Sequence, residues 1–105
     1  MTIESQVQIL NRLSQIMYFS ATSDYERLEC VFDFEQEGKS WSVESTFSCE
    51  VKDEKKYFLL NDDIDETSKL VFELHSLMQS HTGGDWRKLV IIIDNNDKIK
   101  TRFIY

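Results

Sequence analysis

The chain has 105 residues, of which 41% are hydrophobic and 12% aromatic, and its formal net charge at pH 7 is −7. That length holds one domain, residues 1–105, around a single core, and the excess of carboxylates repels nucleic acid and anionic lipid, so neither is an expected direct partner. No apolar run approaches the roughly 18 residues a membrane span needs, and the start, "MTIESQVQ", is polar and acidic where a secretory signal is basic and then apolar; the expectation is a cytoplasmic protein.

Along the first segment Ile3, Val7, Leu10, Leu13, Ile16 and Met17 recur at helical spacing, which predicts an amphipathic helix. Thr2 is placed to cap it and Glu4 sits in the first turn, where the helix dipole favours an anion. "SATSDYE" then breaks the pattern.

From Leu28 the period becomes two. Leu28, Cys30, Phe32 and Phe34 alternate with Glu29, Val31, Asp33 and Glu35. After "QEGKS" the alternation resumes, with Trp41, Val43, Ser45, Phe47, Cys49 and Val51 set against Ser42, Glu44, Thr46, Ser48 and Glu50. Two such runs joined by a glycine-containing turn predict a β-hairpin with one buried and one polar face. Trp41 falls in the buried set. A third short strand, "KYFLL", is expected after the charged turn "KDEK".

"NDDIDETSKLVFELHSLMQSHTGG" predicts the second helix. Asp63 and Glu66 have capping-box spacing. Ile64, Leu70, Val71, Leu74, Leu77 and Met78 form its apolar stripe, and Gly83 or Gly84 stops it. The closing segment "KLVIIIDNNDKIKTRFIY" predicts a hairpin. A three-residue loop Asn95, Asn96, Asp97 puts Leu89, Ile91 and Ile93 on one face with Ile99, Thr101, Phe103 and Tyr105, whereas a two-residue loop would mix Ile91 and Ile93 with Lys98, Lys100 and Arg102. The apolar match selects the first, and the last strand is expected to complete the core. The fold class is α+β: an antiparallel sheet of four to five strands with two amphipathic helices on one face.

Catalytic and metal motifs are sparse. Cys30 and Cys49 lack a CxxC or a nearby histidine pair and read as buried, reduced thiols. His75 and His81, six apart, do not share a helix face, and no HExxH surrounds them; His75 reads as an exposed or half-buried helix residue and His81 as a favourable charge at a helix end. "TGGD" lacks the spacing and lysine of a phosphate loop. "NDDIDE" lacks the glycine and distal glutamate of a calcium loop. No metal or cofactor is expected.

Charge distribution is more informative. Between Glu26 and Glu66 lie 13 acidic and 5 basic residues. Glu29, Asp33, Glu35, Glu44 and Glu50 fall on the polar face of the first hairpin, with hardly a cation among them, although like charges facing across strands are destabilising. With Asp62, Asp63 and Asp65 of the "NDDIDE" loop they are the candidate partner-binding residues, and Trp41 or Tyr57 is a candidate aromatic anchor.

The C-terminal stretch resembles the ending of the YezG-like antitoxin and immunity-protein family: Trp86, then Leu89, Ile91 and Ile93, a polar turn, and Ile99, Phe103 and Tyr105. The order helix, hairpin, helix, hairpin is similar as well. "NNDK" stands where the family commonly has a glycine turn. The resemblance implies a small cytoplasmic protein that binds a cognate bacterial toxin domain, often a nuclease, as in contact-dependent inhibition, and blocks it without catalysis. Acidity points the same way, because a nuclease holds phosphates on a basic surface that an acidic protein can occupy. Two competing readings are a small hydrolase using carboxylates with His75 or His81, and an adaptor whose acidity serves solubility alone.

Overall fold

A computed structural model describes residues 3–21 and 24–105. Thr2 lies outside the described residues, as do the side chains of Ile3 and Glu4, so the first helix's cap does not enter the description. The elements run α1 (Ile3–Ser20), β1 (Arg27–Glu37), β2 (Ser40–Val51), β3 (Glu54–Phe58), α2 (Glu66–Thr82), β4 (Lys88–Asp94) and β5 (Ile99–Ile104). Among the described residues no helix is long and apolar enough to cross a membrane.

All strand pairs are antiparallel, in the order β3-β2-β1-β4-β5. The long central strand β1 therefore pairs with its sequence neighbour β2 on one side and with β4, across α2, on the other. Each turn is set by local chemistry. Between Glu37 and Ser40 a two-residue loop opens on Gly38 at φ 60°, which an L side chain adopts only at a cost. Lys52 and Asp53 between β2 and β3 both have positive φ, as a type I′ turn requires. In the last hairpin the Asp94 N–H donates to the Lys98 carbonyl at 3.1 Å, leaving the expected three-residue loop with Asp97 left-handed at φ 60°. The Asp94 carboxylate accepts from the N–H groups of Asn96 and Lys98 at 2.8 and 3.0 Å; those bonds hold its pKa below the usual carboxylate value.

The core lies between one sheet face and the helices. Leu28, Cys30, Phe32, Phe34, Phe47, Cys49, Leu89, Ile91 and Ile93 come from the sheet, and Ile9, Leu13, Met17, Val71, Leu74 and Leu77 from the helices. Both cysteines are free and buried, and burial raises the Cys30 thiol above its ordinary pKa. The alternation read from β1 and β4 thus places the core as expected, whereas in β2 only Phe47 and Cys49 of the expected set are buried, Trp41 and Ser45 are exposed, Val43 and Val51 are half-buried, and Ser48 of the polar set is buried.

Several details differ from the sequence reading. The third strand begins two residues earlier than "KYFLL" and ends at Phe58, because the two-residue turn at Lys52–Asp53 closes sooner than "KDEK" suggested. Val7 is exposed on α1. Helix α2 starts at Glu66, after Asp65 in the left-handed conformation, and Asp63 does not cap it. Asp62 does: its two carboxylate oxygens accept from the N–H groups of Glu66 at 2.8 Å and Thr67 at 2.7 Å. Ile64 therefore lies in the preceding turn and is exposed, outside the stripe assigned to it. In β5 only Phe103 packs against the core, its ring 5.2 Å from that of Trp86; Ile99, Thr101 and Tyr105 remain exposed although they share its face, because the helical layer does not cover this edge strand.

Candidate functional site

The opposite sheet face carries the polar set, and among the described residues no helix packs on it. Its strand register separates the candidate carboxylates into groups that sequence order does not reveal. Glu50 is opposite Arg27 and Lys55. Glu29 lies 3.2 Å from Arg27 and 3.6 Å from Lys55. This end of the hairpin is charge-balanced, contrary to the expectation of a face with hardly a cation. The missing positive charge comes from β3 and from β1 itself.

Toward the loop end the balance shifts. Asp33 faces Glu44 directly across β1 and β2, and Glu35, opposite Ser42, is diagonal to Glu44. Lys88 of β4 reaches Asp33 at 3.3 Å, but β4 pairs with β1 only as far as Asp33, plus one further bond from the Phe34 N–H to the Arg87 carbonyl. Beyond it Glu35 and Glu37 project on the two-stranded ribbon. Among the described residues no cation lies within ion-pair distance of Glu35, Glu37 or Glu44. Glu37 belongs to this cluster by parity with Glu35 and was not singled out from the sequence, although alternation alone would have found it.

An open groove of about 620 Å³ runs along this ribbon end, lined by Asp33, Glu35, Glu37, Trp41, Arg87 and Lys88 among others. Trp41, assigned to the core by alternation, is 37% exposed and stacks on Phe72 of α2 at 4.4 Å between ring centroids. It occupies the core side of the sheet but at its margin, where α2 covers one ring face. Tyr57, the other candidate anchor, stands exposed on β3, next to Ser48 and away from the groove.

Asp62, Asp63 and Asp65 lie in the helical layer and do not join the hairpin carboxylates. Asp62 is occupied as the helix cap. Burial alone would raise its carboxyl, but hydrogen bonds from Thr67 and Glu66 and the charge of Arg12 hold it below the usual range. Asp65 accepts from the Ser68 hydroxyl at 2.7 Å, and Asp63 is exposed. Glu66 takes a two-pronged ion pair from Arg12 of α1 at 2.7 and 2.8 Å, and the Arg12 hydrogen bond lowers its pKa. The "NDDIDE" loop is thus largely committed to starting α2 and tying it to α1.

His75 is buried at 1% exposure, neither exposed nor half-buried as its sequence setting suggested. Its ring stacks on Phe34 at 4.2 Å, meets Trp86 edge-on at 4.9 Å, and its Nε2 lies 3.0 Å from an Asp85 carboxylate oxygen. With Phe34 against one face and Trp86 edge-on to it, the imidazole is packed as a core aromatic ring. His81 is exposed in the last turn of α2, as expected. Among the described residues no three His, Cys, Asp or Glu side chains converge into a group able to hold a metal ion.

Compared with known families and with curated proteins, the chain matches no family model and no curated sequence.

Proposed function

We propose that the protein is an immunity protein, or antitoxin, that binds a cognate toxin domain one to one and neutralises it by occlusion, using the acidic loop end of its first hairpin. The observation that carries this reading is the cluster of Asp33, Glu35, Glu37 and Glu44 on a ribbon that projects past its neighbouring strands and carries the half-exposed Trp41 on its other face. Glu44, with no cation within ion-pair distance among the described residues, sits opposite Asp33 and diagonal to Glu35, and like charges so placed are destabilising even though Lys88 offsets part of the charge of Asp33. A basic partner relieves that repulsion, and Trp41, half-exposed on the other face of the same ribbon, provides the kind of aromatic anchor that dominates binding energy. The chemistry fits a nuclease, whose phosphate-binding surface presents clustered Lys and Arg. Steering by opposite charge gives fast capture, which suits a protein that must reach a toxin before the toxin reaches its substrate.

The reading rests on protein–protein contact, with no catalysis and no cofactor, in the cytoplasm. Its test is isolation of the complex with the toxin domain encoded by the adjacent reading frame, at low salt and at about 0.5 M salt. The expected result is a one-to-one complex whose association slows about tenfold or more as salt screens the charges, in line with a Debye length that falls to a few Å near 1 M. No complex at low salt, or one whose association is indifferent to salt, contradicts the proposal.

A further inference from the structure

The partner's docking mode is legible in the backbone of β2. Strand β3 pairs only with Phe47 to Val51, so among the described residues Ser40 to Thr46 is an edge with no strand beside it. In a two-residue hairpin the residues flanking the loop exchange hydrogen bonds, and here these are Glu37 and Ser40. Ser42, Glu44 and Thr46 consequently turn their N–H and C=O groups toward β1, while those of Trp41, Val43 and Ser45 point away from it. Phe47, Cys49 and Val51 use the same side to bond β3. Among the described residues, no backbone or side-chain group pairs with the outward groups of Trp41, Val43 and Ser45.

The two outermost strands of the sheet carry cations and this edge does not, while the ribbon's other edge, on β1 from Phe34 to Gln36, is short and borders the groove that Arg87 and Lys88 line. Edge strand β3 carries Lys55 and Lys56, and edge strand β5 carries Lys100 and Arg102. Lysines of that kind deter pairing with a foreign strand. The stretch "SWSVEST" of β2 has no lysine, arginine or proline, and its open edge lies between the face that carries Asp33, Glu35 and Glu44 and the opposite face, where Trp41 stacks on Phe72.

We infer that β2 accepts an extended segment of the partner as an added strand along Trp41 to Ser45, with Lys or Arg at alternate positions on the acidic face and apolar residues between them on the helical side. Strand addition supplies main-chain hydrogen bonds for affinity and alternate side chains for specificity. Residues paired opposite Ser42 and Glu44 lie on the face of Glu35 and Asp33, where cations fit. Residues paired opposite Trp41 and Val43 lie on the side where Trp41 stacks on Phe72 and Val43 packs against the core. A second copy of this chain is a poorer occupant: an antiparallel pairing centred on Val43 sets Glu44 diagonal to its own counterpart.

The inference rests on the proposed function for the identity of the partner but not for the docking mode, and the experiment separates the two. Ser45→Pro removes an outward N–H that no strand of this protein uses, a position at which a sheet edge tolerates proline; Ser45→Ala is its control. Expected with the toxin domain are slowed amide exchange at Trp41, Val43 and Ser45 in the wild-type complex, at least tenfold weaker binding by folded Ser45→Pro, and unchanged binding by Ser45→Ala. A wild-type complex in which those three amides exchange as in the free protein overturns strand addition even if Ser45→Pro does not fold. If the toxin domain forms no complex, the immunity reading fails, and the peptide Lys-Val-Lys-Val-Lys-Val-Lys tests the edge itself at millimolar concentration. Shifts of the Trp41, Val43 and Ser45 amide resonances support the inference, and unmoved resonances overturn it. A homodimer abolished by Ser45→Pro also overturns it, by assigning the edge to a second copy.

Discussion

Asp62 holds two backbone N–H groups at the start of α2 with one carboxylate, four and five residues ahead of the groups it satisfies. Because the fold lowers its pKa, its contribution is complete above the ordinary aspartate value of about 4 and is lost as pH falls through the lower, folded value. The depressed carboxyls of Asp94 and Glu66 act with the same sign. Thermal stability is therefore expected to decline as pH falls from about 5 to 3, and less steeply in Asp62→Asn; an equal decline in that variant would exclude Asp62 as a source. At neutral pH Asp62→Ala should cost on the order of 1 kcal/mol, the usual worth of a helix cap. His75 makes a second case, since its imidazole fills space between Phe34 and Trp86 as an aromatic core residue would. His75→Ala should lower stability by about 2–4 kcal/mol in urea unfolding with little change in slope. A loss below about 0.5 kcal/mol would mean that the ring is not part of the packed core.

At the scale of elements, turn geometry offers a gain as well as losses. Lys52 and Asp53 both sit at positive φ without being glycine. Asp53→Gly should raise stability by up to about 1 kcal/mol, because it removes the left-handed strain of an L residue, and a lower melting temperature would contradict the turn assignment. Period-two alternation made β1, β2 and β4 legible in the sequence, down to the register of the last hairpin, because a one-residue slip would turn the whole apolar set outward. The start of α2 was not legible, since the side chain that caps it is Asp62 and the capping-box spacing points to Asp63. Trp41 follows the alternation of a core residue, yet it sits where the ribbon outruns the helical layer, and how far a layer extends is not written in any local pattern. The acidic face was half legible. Its carboxylates follow from alternation, but Lys88 and Lys55 reach it from strands whose neighbourhood depends on the order β3-β2-β1-β4-β5.

Across the whole molecule, charge is arranged by the sheet. The net charge of −7 is not spread evenly over the open face, because β3 and β5 bring cations to its margins while Glu35, Glu37 and Glu44 gather at the projecting end of the hairpin. That gathering ties the fold to the proposed function. The most direct test is growth of cells expressing the cognate toxin domain together with either the wild-type protein or Glu35→Lys/Glu37→Lys/Glu44→Lys, after circular dichroism and melting have established that the variant folds. The account predicts rescue by the wild type and none by the variant, at equal protein levels. Equal rescue by both would contradict it, since inhibition would then not depend on the acidic hairpin end.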